Sequence, residues 1–226
     1  MNRRLSQLDN INLVSFSDPH TYFPWRLGRE ATIFDCDLTY KGILHAIRTG
    51  KGLTGTIETP PTYGKYHIDG HRACGITLEP SETKKLGGLC PRCKQPLTIG
   101  VAYRVEQLAD REQPLNAPSF KSLIPLTELI AAVYGISQLA SKKVWEVYNQ
   151  LIKGFGNEYA ILLDASEEQL KKVVDEKLAR VILMNREGKL RIQPGYDGVY
   201  GKIALDDEQI IKPASKQKSL ADFPSS

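Results

Sequence analysis

Apolar residues recur at helical spacing through the back half of the chain. This pattern predicts helices over Leu126–Tyr134 and Ser141–Lys153. A third helix is predicted from Ser166, where Gln169 three places on completes a capping box. Its apolar positions are Leu170, Val173, Val174, Leu178, Val181 and Ile182. The back half of the chain is therefore predicted to be helical.

The front half has shorter and more varied patterns. The apolar run Ile11–Phe16 predicts a buried strand, and Leu38–Arg48 predicts a helix. One further strand is predicted at Thr56–Thr59, inside a loop region rich in Gly and Pro. "LTIGVAYRVEQLADR" predicts a strand leading into a short helix, and "NAPSFKSLIPL" a Pro-rich connector. "EGKLRIQPGYDGVYGKIAL" predicts a short strand and Gly-rich turns.

Composition indicates a globular protein. The chain has 226 residues, 41% of them hydrophobic, which is enough for ordinary cores. No run approaches the roughly 18 to 20 apolar residues of a membrane span, and "MNRRLSQLDN" lacks the apolar stretch of a signal peptide. We therefore expect a cytoplasmic protein with no membrane partner. The net charge of +4 permits nucleic-acid binding without showing it.

Two closely spaced pairs of ligand residues carry the clearest chemistry. His71-x-x-Cys74 is followed by Cys90-x-x-Cys93, which gives one nitrogen and three sulfurs. Such a set closes a tetrahedral zinc site and leaves no position open for water. The spacing therefore predicts a structural zinc ion.

Two alternatives to this ligand set exist. His67 is a competing nitrogen ligand, although the spacing of His71 mirrors that of the Cys-x-x-Cys pair. A redox Cys-x-x-Cys normally opens a helix after a strand and needs no companion His-x-x-Cys. Cys36 stands apart from the other three cysteines and is interpreted as a packing residue.

A second candidate metal motif follows the first predicted strand. Asp18 and His20 can offer a carboxylate oxygen and an imidazole nitrogen to one ion. Polar residues at the carboxyl ends of barrel strands are where α/β barrels hold their catalytic groups. The alternative is that Asp-Pro-His forms only a turn.

Four segments together resemble the C-terminal part of the endonuclease Q family: "SFSDPHTYFPWRLGREATIF", "KYHIDGHRACGITLEP", "CPRCKQPLTIGVAYRVEQLADR" and "QPGYDGVYGKI". The resemblance implies an α/β plus α fold, in which the last part of a polymerase-and-histidinol-phosphatase (PHP) barrel is followed by a small zinc-binding module and a helical domain. It also implies a metal-dependent DNA repair endonuclease that cuts beside uracil or hypoxanthine, or at abasic sites. The corresponding boundaries are 1–52 for the barrel part, 53–112 for the zinc module, 113–205 for the helical DNA-binding domain and 206–226 for a disordered tail.

The chain departs from the family in its catalytic ligands. Asp18 and His20 match the last metal motif of a PHP barrel, and the earlier motifs have no counterpart before them. Two ligands do not make a cluster that activates water and holds a phosphate. We therefore expect the isolated chain to be weak or inactive, with Mg, Mn or Zn bound once a separate chain completes the barrel. The alternative is a non-catalytic, zinc-containing DNA-binding module.

Basic residues beside these motifs are the candidates for DNA contact through phosphates. Tyr22 and Trp25 could stack on a flipped base or pack against the barrel rim. A Lys pair that opens a helix is also typical of a solvated face. The basic candidates are Arg26, Arg29, Arg72, Arg92, Lys94, Arg104, Lys142 and Lys143.

The tail carries a candidate docking peptide. Gln217, Leu220 and Phe223 resemble the peptide by which repair enzymes bind the DNA sliding clamp, although Pro224 stands where a second aromatic residue is usual. A tail of this kind can become ordered on binding. The alternative is a solvated terminus that matches by chance.

Overall fold

The computed structural model describes residues 1–115 and 118–205. Its strands are β1 (Ala31–Phe34), β2 (Leu53–Glu58), β3 (Asp69–His71), β4 (Ile76–Leu78), β5 (Phe120–Ser122), β6 (Arg191–Gln193) and β7 (Lys202–Ala204). Its α-helices are α1 (Tyr40–Thr49), α2 (Pro80–Lys85), α3 (Val101–Leu108), α4 (Leu126–Val133), α5 (Lys142–Phe155), α6 (Glu167–Lys171) and α7 (Glu176–Arg186). The proposed clamp residues Gln217, Leu220 and Phe223 lie outside the described residues, so that interpretation stays a prediction.

A three-stranded sheet joins the front of the chain to the helical part. β2 lies in the middle, antiparallel to β1 and parallel to β5. Ile57 of β2 is buried and belongs to the same apolar core as the helices. β5 falls in the segment predicted to be a connector, where three residues in a Pro-rich context gave too short a pattern to indicate a strand.

The helical core forms where the sequence pattern places it. α4 packs against α5 and α7, and α6 packs against α7. Burial of one large aliphatic side chain stabilises a fold by roughly 1.5–3 kcal/mol, so this cluster dominates the stability of the domain. Its fully buried members include Ile124, Leu126, Leu129, Ile130, Val144, Leu151, Ile161, Leu170, Leu178 and Ile182.

The predicted helix starts are confirmed by their caps. The Ser141 hydroxyl accepts a hydrogen bond from the N–H of Val144 at the start of α5. Ser166 and Gln169 form the predicted reciprocal capping box at the start of α6. Such caps satisfy backbone N–H groups that have no partner within the helix.

The third predicted helix is wrong as a single element. It divides into α6 and α7, because Asp175 caps a new helix by accepting from the N–H of Leu178. The apolar residues of α6 and α7 face the same core, and for this reason their spacing alone suggested one continuous helix.

The strand predicted at Ile11–Phe16 is also wrong. The segment has no strand geometry, and its apolar side chains are largely exposed, with Phe16 at 60%. Ser15 instead bonds through its backbone to the side-chain hydroxyl of Thr32 on β1. The apolar residues of Ile11–Phe16 predicted a buried strand, but no strand or helix among the described residues packs over them.

The barrel part stays a prediction. Strands among the described residues form one sheet of three strands and two pairs, β3–β4 and β6–β7, without closing into a barrel. No helix within the described ranges is both long and apolar enough to cross a bilayer.

Asn185 connects α7 to the start of the helical domain. Its side chain accepts from the N–H of Ile124 at 3.0 Å and donates to the carbonyl of Ile124 at 3.1 Å. The amide is buried, so an Asn185→Leu variant leaves both backbone groups without a partner. We expect a loss of about 2–5 kcal/mol in the free energy of unfolding. Urea denaturation checks this value, and Asn149→Leu on the exposed face of α5 is the matched control. If Asn185→Leu and Asn149→Leu unfold at the same urea concentration, the prediction is contradicted.

Candidate functional site

The first pair of candidate ligands lies at the end of a β-hairpin. β3 ends at His71 and pairs with β4, and a single 3-10 turn, Arg72–Cys74, joins the two strands. Gly75 follows with a φ of 64°, a left-handed conformation that glycine adopts without strain. The turn brings the side chains of His71 and Cys74 to the same side.

The second pair repeats this geometry. Cys90 and Cys93 flank a turn in which the N–H of Lys94 donates to the carbonyl of Cys90 at 2.9 Å. Lys94 has a φ of 62° and occupies the place that Gly75 has in the first turn. The N–H of Cys90 donates to the carbonyl of Gln95 at 2.8 Å and closes a narrow hairpin.

The two turns bring the four predicted ligands together. The candidate donor atoms of His71, Cys74, Cys90 and Cys93 all lie within 4.8 Å of one another. Tetrahedral zinc with sulfur bonds of about 2.3 Å places its ligand atoms about 3.7 Å apart, so the cluster needs only a small contraction to hold an ion. His67 is not part of the cluster. One nitrogen and three sulfurs fit a metal such as zinc.

The backbone around Cys90 stabilises a thiolate. Burial is the largest influence and acts to raise the pKa of Cys90. Hydrogen bonds from the backbone of Cys93 and Arg92 and from the His71 side chain outweigh it and lower the pKa to about 6. The pKa of Cys74 is raised to about 11, chiefly by its hydrogen bond with Cys93. These backbone hydrogen bonds favour the thiolate of Cys90, which is the form in which a thiol binds a metal ion.

A loop from the far end of the chain closes over this site. The carboxylate of Asp197 accepts from the N–H of Arg72 at 2.6 Å and from the hydroxyl of Thr98 at 2.7 Å. A Cβ added at Gly70 would come within 2.6 Å of the Tyr196 ring, so only glycine fits under that ring. The Gly-rich turn at 195–198, here called the clasp, therefore holds the hairpin that carries the first pair of candidate ligands.

Asp18 and His20 lie apart from the zinc ligands. Both are exposed, in a segment without regular structure, and Asp18 has a φ of 41°. Neither belongs to a group of three or more His, Cys, Asp or Glu residues in the described ranges that could hold a metal. By themselves these two residues do not form a catalytic cluster.

Three of the predicted DNA-contacting residues lie on the metal turns. Arg72 is in the first turn, Arg92 and Lys94 are in the second, and all three are exposed. Because the candidate ligand atoms of the two turns lie within 4.8 Å of one another, the turns lie side by side, and we refer to Arg72, Arg92 and Lys94 on them as the basic patch.

The other predicted contacts are dispersed. Arg104 lies on α3 and bonds to Gln107, while Lys142 and Lys143 open α5. Lys142 is 3.9 Å from Glu146, and the ammonium of Lys143 lies 5.7 Å from the Tyr134 ring centroid. The structure does not bring these three residues to the basic patch by any contact.

The two aromatic candidates have different environments. Trp25 stacks on Phe23 with centroids 4.4 Å apart and meets Trp145 of α5 at 6.2 Å. Tyr22 is 80% exposed and borders a cavity of about 460 Å³. Trp25 therefore packs within the protein, and Tyr22 is the one whose ring is accessible.

Arg26 and Arg29 line a larger cavity of about 700 Å³ between the front segment, α4 and β7. Other groups on its wall, Tyr63, Glu128 and Tyr200, had no predicted role. They come from three separate segments, so no local spacing connects them. The only sequence signal was Tyr200, which falls in the quoted motif "QPGYDGVYGKI".

Fold and site together define a mixed α/β protein with a His/Cys cluster that could hold a metal ion. Residues 125–189 match the family model of the MJ0043 C-terminal domain. The chain is 33% identical over 214 residues to uncharacterized protein MJ0043 of Methanocaldococcus jannaschii, covering 91% of this chain and 27% of that protein. It is 30% identical to uncharacterized protein YqxK of Bacillus subtilis, covering 90% of this chain and 49% of that protein.

Solved structures confirm the resemblance to endonuclease Q. The lesion-specific endonuclease PfuEndoQ from Pyrococcus furiosus superposes with a TM-score of 0.83 at 33% identity, covering 100% of this chain and 57% of that one. The structure of an endonuclease Q complex with a 27-mer duplex that carries an abasic lesion superposes with a TM-score of 0.81 at 33% identity. The match covers 95% of this chain and 55% of that one. The chain thus spans about half or less of the length of these relatives.

Proposed function

We propose that this chain is part of a metal-dependent endonuclease that cleaves DNA beside uracil or hypoxanthine or at abasic sites. The observation that carries the proposal is the superposition of the whole chain on a lesion-specific endonuclease at a TM-score of 0.83. That a related structure holds a duplex with an abasic lesion supports DNA as the ligand.

In this proposal zinc has a structural role. The ion, held by His71, Cys74, Cys90 and Cys93, fixes the two turns that present Arg72, Arg92 and Lys94. Zinc with four protein ligands has no open position for water, so it organises the basic patch without taking part in bond cleavage. Contacts from this patch to phosphates position the duplex and do not read its sequence.

Catalysis is assigned to a separate metal cluster. Asp18 and His20 contribute two ligands, and the remaining ligands come from residues outside these 226, in the same or another chain. The exposed apolar side chains around this segment, Ile11, Phe16 and Ile33, support a surface that further barrel strands cover. When bound in the completed cluster, Mg, Mn or Zn would supply the Lewis acid for phosphodiester hydrolysis.

The DNA-binding part of the proposal is tested on the chain itself. A variant with Arg72→Gln, Arg92→Gln and Lys94→Gln should bind a uracil-containing duplex at least tenfold more weakly. The plot of log K against log salt has a negative slope, and its magnitude should decrease by about 3, roughly 0.9 for each lost phosphate contact. Fluorescence anisotropy over a salt series measures both quantities.

The control removes the same number of charges elsewhere, with Lys41→Gln, Lys51→Gln and Lys189→Gln. Zinc content is measured in both variants, so that loss of metal is not mistaken for loss of contact. If both variants bind equally, only net charge matters and the basic patch has no specific role. If the wild-type chain does not bind DNA at all, the proposal is wrong for this chain.

A further inference from the structure

Three cations line the larger cavity together with Tyr200, and a fourth lies over the Tyr200 ring. Arg26, Arg29, Tyr200 and Lys202 line the cavity together. The ammonium of Lys65 lies 4.8 Å from the centroid of the Tyr200 ring. These charges come from three places along the chain, the front segment, Lys65 and β7, and meet only in the folded protein.

The Tyr200 hydroxyl is prepared to donate a hydrogen bond to an anion. Arg26 lines the same cavity as Tyr200 and Lys65 lies over its ring, so two cations lie beside a phenol whose own O–H can donate to another partner. Partial burial acts to raise the pKa of Tyr200, but these two cations outweigh it and the pKa lies below its ordinary value. A phenol polarised in this way is a stronger donor, and at 44% exposure it is accessible from solvent.

The one carboxyl group on the cavity wall determines where an anion can bind. Glu128 hydrogen-bonds with Tyr63, and burial raises its pKa although that bond and the charges of Arg29 and Arg26 act in the opposite direction. An anion deep in the cavity would meet this carboxyl group, whereas Tyr200, Arg26 and Lys202 on the same wall contribute a phenol and two positive charges. Arg29 is oriented by a 3.0 Å bond from its Nε to the Thr59 hydroxyl.

We propose that Tyr200, Arg26 and Lys65 bind an internal phosphodiester of the DNA strand at this rim, with Arg29 and Lys202 adding positive charge. This inference rests on the proposed function and extends it, since it adds Tyr200, Lys65 and Lys202 to the contact surface. The apolar walls beneath the rim, at Ala131, Ile136 and Ile203, suit the sugar attached to such a phosphate.

Charge and hydrogen bonding can be tested separately at this site. Tyr200→Phe keeps the ring and should lower affinity for a uracil-containing duplex on the order of tenfold, with an unchanged salt slope because no charge is lost. Arg26→Gln and Lys65→Gln should each lower affinity and reduce the slope by about 1. Tyr40→Phe, on exposed α1, is the matched control and should bind like wild type. Circular dichroism of each variant establishes that it is folded.

The outcomes distinguish this proposal from the one on which it rests. If wild-type protein binds DNA but Tyr200→Phe, Arg26→Gln and Lys65→Gln all retain its affinity and slope, the phosphodiester site is wrong and the proposed function stands. Failure of the wild-type chain to bind DNA overturns both. Inorganic phosphate should displace DNA no better than chloride at equal ionic strength. Displacement at low millimolar phosphate would instead identify free phosphate as the ligand and overturn the assignment to DNA.

Discussion

Purified protein is expected to contain one zinc ion per chain, and a Cys90→Ser variant is expected to contain none. Cys90 is fully buried among the four ligands, and a serine there offers a neutral hydroxyl in place of a thiolate. Structural zinc contributes on the order of 10 kcal/mol to the folding of a small module. The variant should therefore lose the fixed structure of both metal turns, while the helical domain with its own core remains folded.

Two measurements check this prediction. Mass spectrometry of the metal gives the stoichiometry, and amide hydrogen exchange should show lost protection in β3 and β4 and retained protection in α4, α5 and α7. Cys36→Ser is the matched control, because Cys36 is outside the ligand cluster. Wild-type protein without zinc, or zinc retained at full occupancy in Cys90→Ser, would show that the ligand set is wrong.

The isolated chain is expected not to cleave a uracil-containing duplex in the presence of manganese or magnesium, even where it binds that duplex. The described residues hold one group of three or more potential metal ligands, and it is the closed His/Cys set. Hydrolysis of a phosphodiester needs a metal with an exchangeable position, close to the scissile bond. Asp18 and His20 alone do not fix such an ion.

A gel assay with end-labelled duplex measures cleavage directly. Product formed by the wild-type chain and lost in Asp18→Ala would contradict the expectation and would mean that these two ligands suffice. If the chain binds DNA without cleaving it, and Asp18→Ala changes nothing, the result agrees both with a fragment of the endonuclease and with a non-catalytic DNA-binding module. Adding a polypeptide that carries the missing barrel strands distinguishes these two hypotheses. Only the endonuclease fragment should then gain cleavage activity.

Local patterns predicted the parts of the structure that local interactions determine. The four candidate metal ligands were evident because each pair lies within one turn, where spacing fixes which side chains converge. The helix starts at Ser141 and Ser166 were evident for the same reason, since a cap involves only residues three places apart.

Longer-range features could not be predicted in this way. The run Ile11–Phe16 looks like a strand because its apolar content is visible, whereas the surface that would cover it is not. Asp175 begins α7 through a hydrogen bond from its own side chain, which the spacing of apolar residues does not reveal. The cavity at Tyr200 depends on charges from the front segment, Lys65 and β7 meeting in the fold.

The clasp from Asp197 to Arg72 has a consequence for how the protein is made. Its two residues are 125 positions apart, whereas the last zinc ligand, Cys93, is translated soon after Arg72. At about 5–20 residues per second the ribosome takes roughly 6–25 s to deliver Asp197 after Arg72. For most of that interval the two turns and their three thiols, Cys74, Cys90 and Cys93, are complete but the clasp is missing, so the Tyr196 ring does not yet cover Gly70. Zinc bound as soon as Cys93 emerges would protect those thiols from oxidation and hold the two turns in register until the clasp arrives.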